Sequence, residues 1–206
     1  MNLLKLKAAE KRFLNLYPGG FQSPEIQAIA KKHRIEKLVA FAQASFAKPC
    51  FKDTNSIVLN AIKLVGQSSM VSVFEKPKFR DYVRSLDAVG KQRFANSLKA
   101  QLHGVQANGF ETMVELLAEA KLAKWTLLSA IPFYFRPNAD VFIKPTTTKG
   151  VIAMFELEGL SYKARPSFAF YQKYREHILA MKAALSPDVS PNNAAFCGFL
   201  MMSLES

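Results

Sequence analysis

Three groups of residues have the types and spacing to do chemistry, and all three point to anions. The first is Lys144-Pro145-Thr146-Thr147-Thr148-Lys149. Proline there suits a first helical turn, whose N–H groups have no intrahelical partner. Open N–H groups, hydroxyls and two ammonium groups at the positive end of a helix would hold a phosphate. Lys144, Thr146, Thr147 and Lys149 are therefore candidate anion-binding residues. They also read as a capped helix start with two solvated lysines. The second group, Lys31, Lys32, Arg34 and Lys37, lines one side of a helical stripe. It is either a solvated face or a row of phosphate contacts. The third interleaves aromatic and basic residues, in Phe168-Ala169-Phe170-Tyr171-Gln172-Lys173-Tyr174-Arg175 and Lys78-Phe79-Arg80-Asp81-Tyr82. Such runs can stack bases. Phe168, Tyr171 and Tyr174 or Arg175, at i, i+3 and i+7, equally mark a core stripe.

The usual catalytic constellations are not visible. Cys50 and Cys197 form neither a disulfide framework nor a metal motif, and neither has a histidine close in sequence. His33, His103 and His177 are isolated. There is no phosphate-cradling GxxxxGK loop, and Gly19-Gly20 reads as a helix stop. Glu156 and Glu158 flank a turn as solvated acids. The reading assigns no catalytic residue, metal or cofactor, and leaves open whether the chain is an enzyme.

The stretch Ala139-Asp140-Val141-Phe142-Ile143-Lys144-Pro145-Thr146-Thr147-Thr148-Lys149-Gly150-Val151-Ile152 resembles the part of helix-hairpin-helix DNA glycosylases that carries their catalytic aspartate. The resemblance covers about residues 110–160. Thr146 matches the family's threonine and Lys149 a basic position. The aspartate position falls on Pro145 and the histidine position on Thr147, and residues 122–131 lack the glycines of the family's hairpin. What the resemblance implies is an all-α, DNA-binding relative without the catalytic acid.

Charge agrees with a polyanionic partner. The formal net charge is +12, and residues 1–52 carry 10 Lys/Arg against 3 Asp/Glu, while residues 108–206 carry 10 against 9. The basic surface thus lies mainly in the N-terminal half, which suits a polyanion or an anionic membrane surface. Half of the 206 residues are hydrophobic, 17 of them Phe, so a sizeable core forms. Residues 1–7 lack the apolar region of a secretory signal, and no run reaches the roughly 18–20 apolar residues of a membrane span. A cytoplasmic protein is the expectation.

Helices must position these groups. Residues 125–135 are apolar on nearly every side and belong at the centre of the core. Around them, helical stripes run over 2–17, 24–47, 57–65, 79–102 (one or two helices, with a break near Gly90), 110–121, 168–185 and 192–204, with Ser23-Pro24 as an N-cap and N1 pair. Residues 66–76 read as a loop or helix end, and 104–109 as a link. The expectation is an all-α, bundle-like domain of seven or eight helices, with a possible division into a basic half, 1–104, and a hydrophobic half, 109–206. The function expected first is nucleic-acid binding through phosphate contacts, DNA slightly ahead of RNA. An enzyme or carrier for a small anion at 144–149 is the alternative. The apolar tail offers a third, docking on the core or on a second copy as a homo-oligomer.

Overall fold

The computed structural model describes residues 1–204 and contains no strand among them. Its eleven α-helices are α1 (Leu3–Leu16), α2 (Pro24–His33), α3 (Ile35–Ser45), α4 (Thr54–Gln67), α5 (Glu75–Ser85), α6 (Ala88–His103), α7 (Gln106–Ala118), α8 (Trp125–Phe135), α9 (Pro145–Met154), α10 (Phe168–Ala183) and α11 (Asn193–Ser203). The all-α class is as expected; the count exceeds seven or eight. The expected stripe 24–47 is broken in two, and 79–102 is two helices, divided close to the break expected near Gly90. Arg34 takes a left-handed conformation, φ 53°, and turns the chain between α2 and α3. Leu86 is extended, and Asp87 restarts the helix as the N-cap of α6 by accepting from the Gly90 N–H. Five other starts follow ordinary capping chemistry, Asn2, Ser23, Asp53, Ser167 and Asn192 each accepting an N–H three residues on, while α5, α7, α8 and α9 begin without a side-chain cap.

The expected link at 104–109 is much shorter. Only Gly104 and Val105 separate α6 from α7, and Gly109 lies inside α7. A Cβ on Gly109 would fall on the Gln101 nitrogen and 2.5 Å from the Ser97 carbonyl oxygen. Glycine is needed there because the two backbones touch.

Helix α8 is the centre. Every residue from Trp125 to Tyr134 is buried, and α3, α4, α6 and α7 all pack on it. Its few polar atoms are used: Trp125 Nε1 donates to the Lys163 carbonyl at 2.8 Å, and Tyr134 Oη lies 2.9 Å from Ser68 Oγ. A single hydrophobic core runs from Leu6 to Leu200. The apolar tail belongs to it: Phe196, Phe199 and Leu200 of α11 are buried, and Phe199 meets Phe13 edge-on at 5.4 Å.

After α8 the chain passes through the interior without regular structure. Val141, Phe142 and Ile143 are all buried. Buried amides need partners, and side chains supply them. Val141 N–H donates to Tyr171 Oη at 3.3 Å, Ile143 N–H to Ser129 Oγ at 3.0 Å, and the Phe142 backbone bonds the Cys197 thiol.

Candidate nucleic-acid interface

The joint between α2 and α3 gathers Lys31, Lys32, Arg34 and Lys37. All four are exposed, and among the described residues none has a carboxylate within ion-pair distance. Lys31 and Lys32 end α2, where cations favour the negative end of the helix dipole. The left-handed Arg34 then swings α3, with Lys37, onto a new axis. The joint is tied to the next loop by His33, whose Nδ1 lies 2.8 Å from Ser69 Oγ. That loop, residues 68–74, presents Val73 and Phe74 to solvent and is followed by Lys76 and Lys78. The sequence reads 66–76 only as a loop or helix end; no periodicity shows that Val71 turns inward while Val73 and Phe74 turn outward.

The start of α9 is the second cluster. Lys144 is its N-cap and makes no side-chain capping bond, so the capped-helix reading is not what the structure has. Lys144, Thr146 and Lys149 are exposed and Thr147 is half-buried. Thr148 is buried, and its hydroxyl serves Tyr174 rather than solvent. Lys149 Nζ stands 5.8 Å from the centre of the Tyr162 ring. No hydrogen bond or ion pair joins this cluster to the α2–α3 joint.

The interleaved aromatics are core. Phe170, Tyr171 and Tyr174 are buried, with Phe170 and Tyr174 stacked at 6.0 Å. In the earlier run, Phe79 is buried and Tyr82 donates to the Leu116 carbonyl at 2.6 Å. The histidines are structural too: His103 Nε2 meets the Phe46 carbonyl at the end of α3, and His177 Nε2 that of Glu158. Cys50 and Cys197 are free thiols, and burial pushes the Cys197 thiol up to about 11, leaving it a poor nucleophile.

One buried charge cluster escapes the sequence altogether. The fully buried Asp140 carboxylate accepts from Arg136 Nε at 2.6 Å, Arg175 at 3.0 Å, Gln106 at 2.9 Å and Tyr171 Oη at 2.9 Å. Arg136 also donates to the Gln101 and Leu102 carbonyls at the end of α6. The cluster staples α6, α7, α10 and the 136–144 loop together. A fully buried carboxylate held by four donors, two of them guanidinium groups, ties elements together and faces no open site, so its chemistry is structural. Arg136 is four residues away, but the other partners stand 31 to 35 residues away, and no local pattern announces those.

Among the described residues no group of three His, Cys, Asp or Glu could hold a metal, and no helix is long and apolar enough to cross a membrane. In comparison with known proteins, no family model matches the chain, nor does any curated protein or solved structure.

Proposed function

We propose that this protein binds nucleic acid through phosphate contacts. The observation that carries the reading is the α2–α3 joint: Lys31, Lys32, Arg34 and Lys37 are exposed together around a single acid, Glu36, and among the described residues none has a carboxylate within ion-pair distance. Four cations against one acid leave a local excess of positive charge, which a polyanion would neutralise. Lys144, Thr146, Thr147 and Lys149 form a second contact, at a first turn with no side-chain cap. The local resemblance to helix-hairpin-helix DNA glycosylases points the same way.

The test is binding of labelled single- and double-stranded DNA and RNA at several salt concentrations. Affinity should fall steeply with salt. Joint replacement K31A/K32A/K37A should weaken every sequence alike and reduce the slope of log affinity against log salt by about 2–3, close to one unit per lost phosphate contact. Binding that barely changes with salt would overturn the reading. A small phosphorylated metabolite at the uncapped start of α9 is the second reading. It predicts a K144A/K149A-sensitive ligand with no nucleic-acid affinity.

A further inference from the structure

Phe74 is 77% exposed and its neighbour Val73 70%. Among the described residues, no other Phe, Tyr or Trp is exposed. The ring does not sit on a loose loop. Val71 is buried in the core three residues before it. The Phe74 N–H donates to Ser72 Oγ at 3.3 Å, and those of Glu75 and Lys76 return to the Ser72 carbonyl at 3.0 and 3.2 Å. Glu75 then accepts the Thr126 hydroxyl at 2.6 Å, which pins the start of α5 to the buried α8. The turn is anchored on both sides of an aromatic ring that it holds in water. Leaving such a ring uncovered forgoes the burial that aromatic side chains normally provide.

Its surroundings indicate what covers it. Ser69, bonded to His33, joins this turn to the end of α2, beside Lys31, Lys32 and Arg34. Five residues of chain place Phe74 no more than about 18 Å from Ser69. On the other side follow Lys76 and Lys78. The one carboxylate in residues 68–79, Glu75, is turned inward to Thr126. The aromatic ring is thus bracketed by unpaired cations.

We infer that this surface takes single-stranded nucleic acid, with Phe74 stacked on an unpaired base and the flanking lysines and Arg34 on its phosphates. The inference rests on the phosphate-contact reading above and names the form of nucleic acid. A single strand offers a π-face at each nucleotide. A duplex keeps its faces stacked and admits an apolar wedge only by opening a step. A lipid surface suits a broad apolar helix face, whereas here two side chains project from a polar turn.

The experiment compares wild type, F74A, F74W and K31A/K32A/R34A for binding to a labelled oligothymidine strand, to a duplex of equal length and to anionic phosphatidylserine vesicles. Circular dichroism checks each fold; the exposed ring makes F74A a mild change. Expected are preference for the single strand, a roughly ten-fold loss for F74A at unchanged salt slope, retention in F74W, and a shallower slope in K31A/K32A/R34A. Single-strand affinity equal in F74A and wild type would overturn the stacking inference and leave the phosphate reading standing. No binding to either oligonucleotide at low salt would overturn both, and Phe74-dependent vesicle binding in that case would assign the surface to membrane.

Discussion

The side-chain amide of Asn193 donates to the Asp140 carbonyl at 2.8 Å, and the Asn193 backbone N–H reaches the Pro137 carbonyl. Lys182 Nζ in turn donates to Asn193 Oδ1 at 3.1 Å. The first residue of α11 thus holds the loop between α8 and α9 in the conformation that carries Asp140 inward. The cation clusters on the surface stand on a scaffold fixed by this buried polar centre.

Asp140→Ala should destabilise the fold strongly. It would leave two guanidinium groups, an amide and the Tyr171 hydroxyl without their shared acceptor. Removing one partner of a buried ion pair costs about 3–5 kcal/mol. The lower end is expected, since the Arg136 and Arg175 side chains remain 32% and 20% exposed. Urea denaturation measures it, and an unshifted midpoint would show the cluster to be dispensable.

Two glycines should answer in opposite directions. Gly109→Ala drives a methyl into the α6 backbone and should cost about 1–3 kcal/mol as the hairpin splays. Gly66→Ala, in the last turn of α4, meets nothing within 4 Å and should gain about 0.5–1 kcal/mol. Thermal unfolding of the pair reads both. Equal shifts would contradict the close approach of α6 and α7.

Stability should decline on the alkaline side. Burial raises Tyr134, Tyr171 and Tyr174 above the usual phenol range and brings Cys197 to about 11. The folded state therefore holds these protons more tightly than the unfolded chain. Their contribution is complete below the unfolded values, about 8.5 for a thiol and 10 for a phenol, and is lost as pH rises through the folded ones. The urea midpoint should drop above about pH 9, and less steeply in Cys197→Ala. A midpoint constant from pH 8 to 11 would refute this, as would an identical slope in the variant.

Removal of residues 194–206 should unfold the protein rather than dissociate it. Phe196 and Phe199 lie in the common core, and truncating one such ring to alanine costs about 3–5 kcal/mol. Deletion of the segment should abolish the cooperative thermal transition. A deleted chain that keeps its helicity and melts cooperatively would return the tail to the role of an oligomer interface.

Much of the scaffold was legible because its signals are local. Ser23-Pro24 capped α2, the unbroken apolar stretch from Trp125 set α8 at the centre, and the tail's Phe and Leu content required burial. The break at Arg34 was not legible, since an arginine in the left-handed region has no sequence signature and is held there by context. Gly109 read as a linker residue because only the facing α6 backbone makes it a packing residue. In the candidate interface, the cations were named from their spacing. Phe74 was passed over because alternation could not say which of Val71, Val73 and Phe74 faces the core. Asp140 carried no signal of its own, because its partners come together from α7, α10 and the residue just past α8 only in three dimensions.

The buried stretch 141–143 constrains how the molecule is made. Its amides are met by Ser129 on α8, Tyr171 on α10 and Cys197 on α11, and a buried amide left unmet costs about 1–3 kcal/mol. During synthesis, a nascent chain that had not yet released α11 would keep this stretch wet, however well its earlier helices had formed. The middle of the protein dries out only when a helix made some fifty residues later comes back to it.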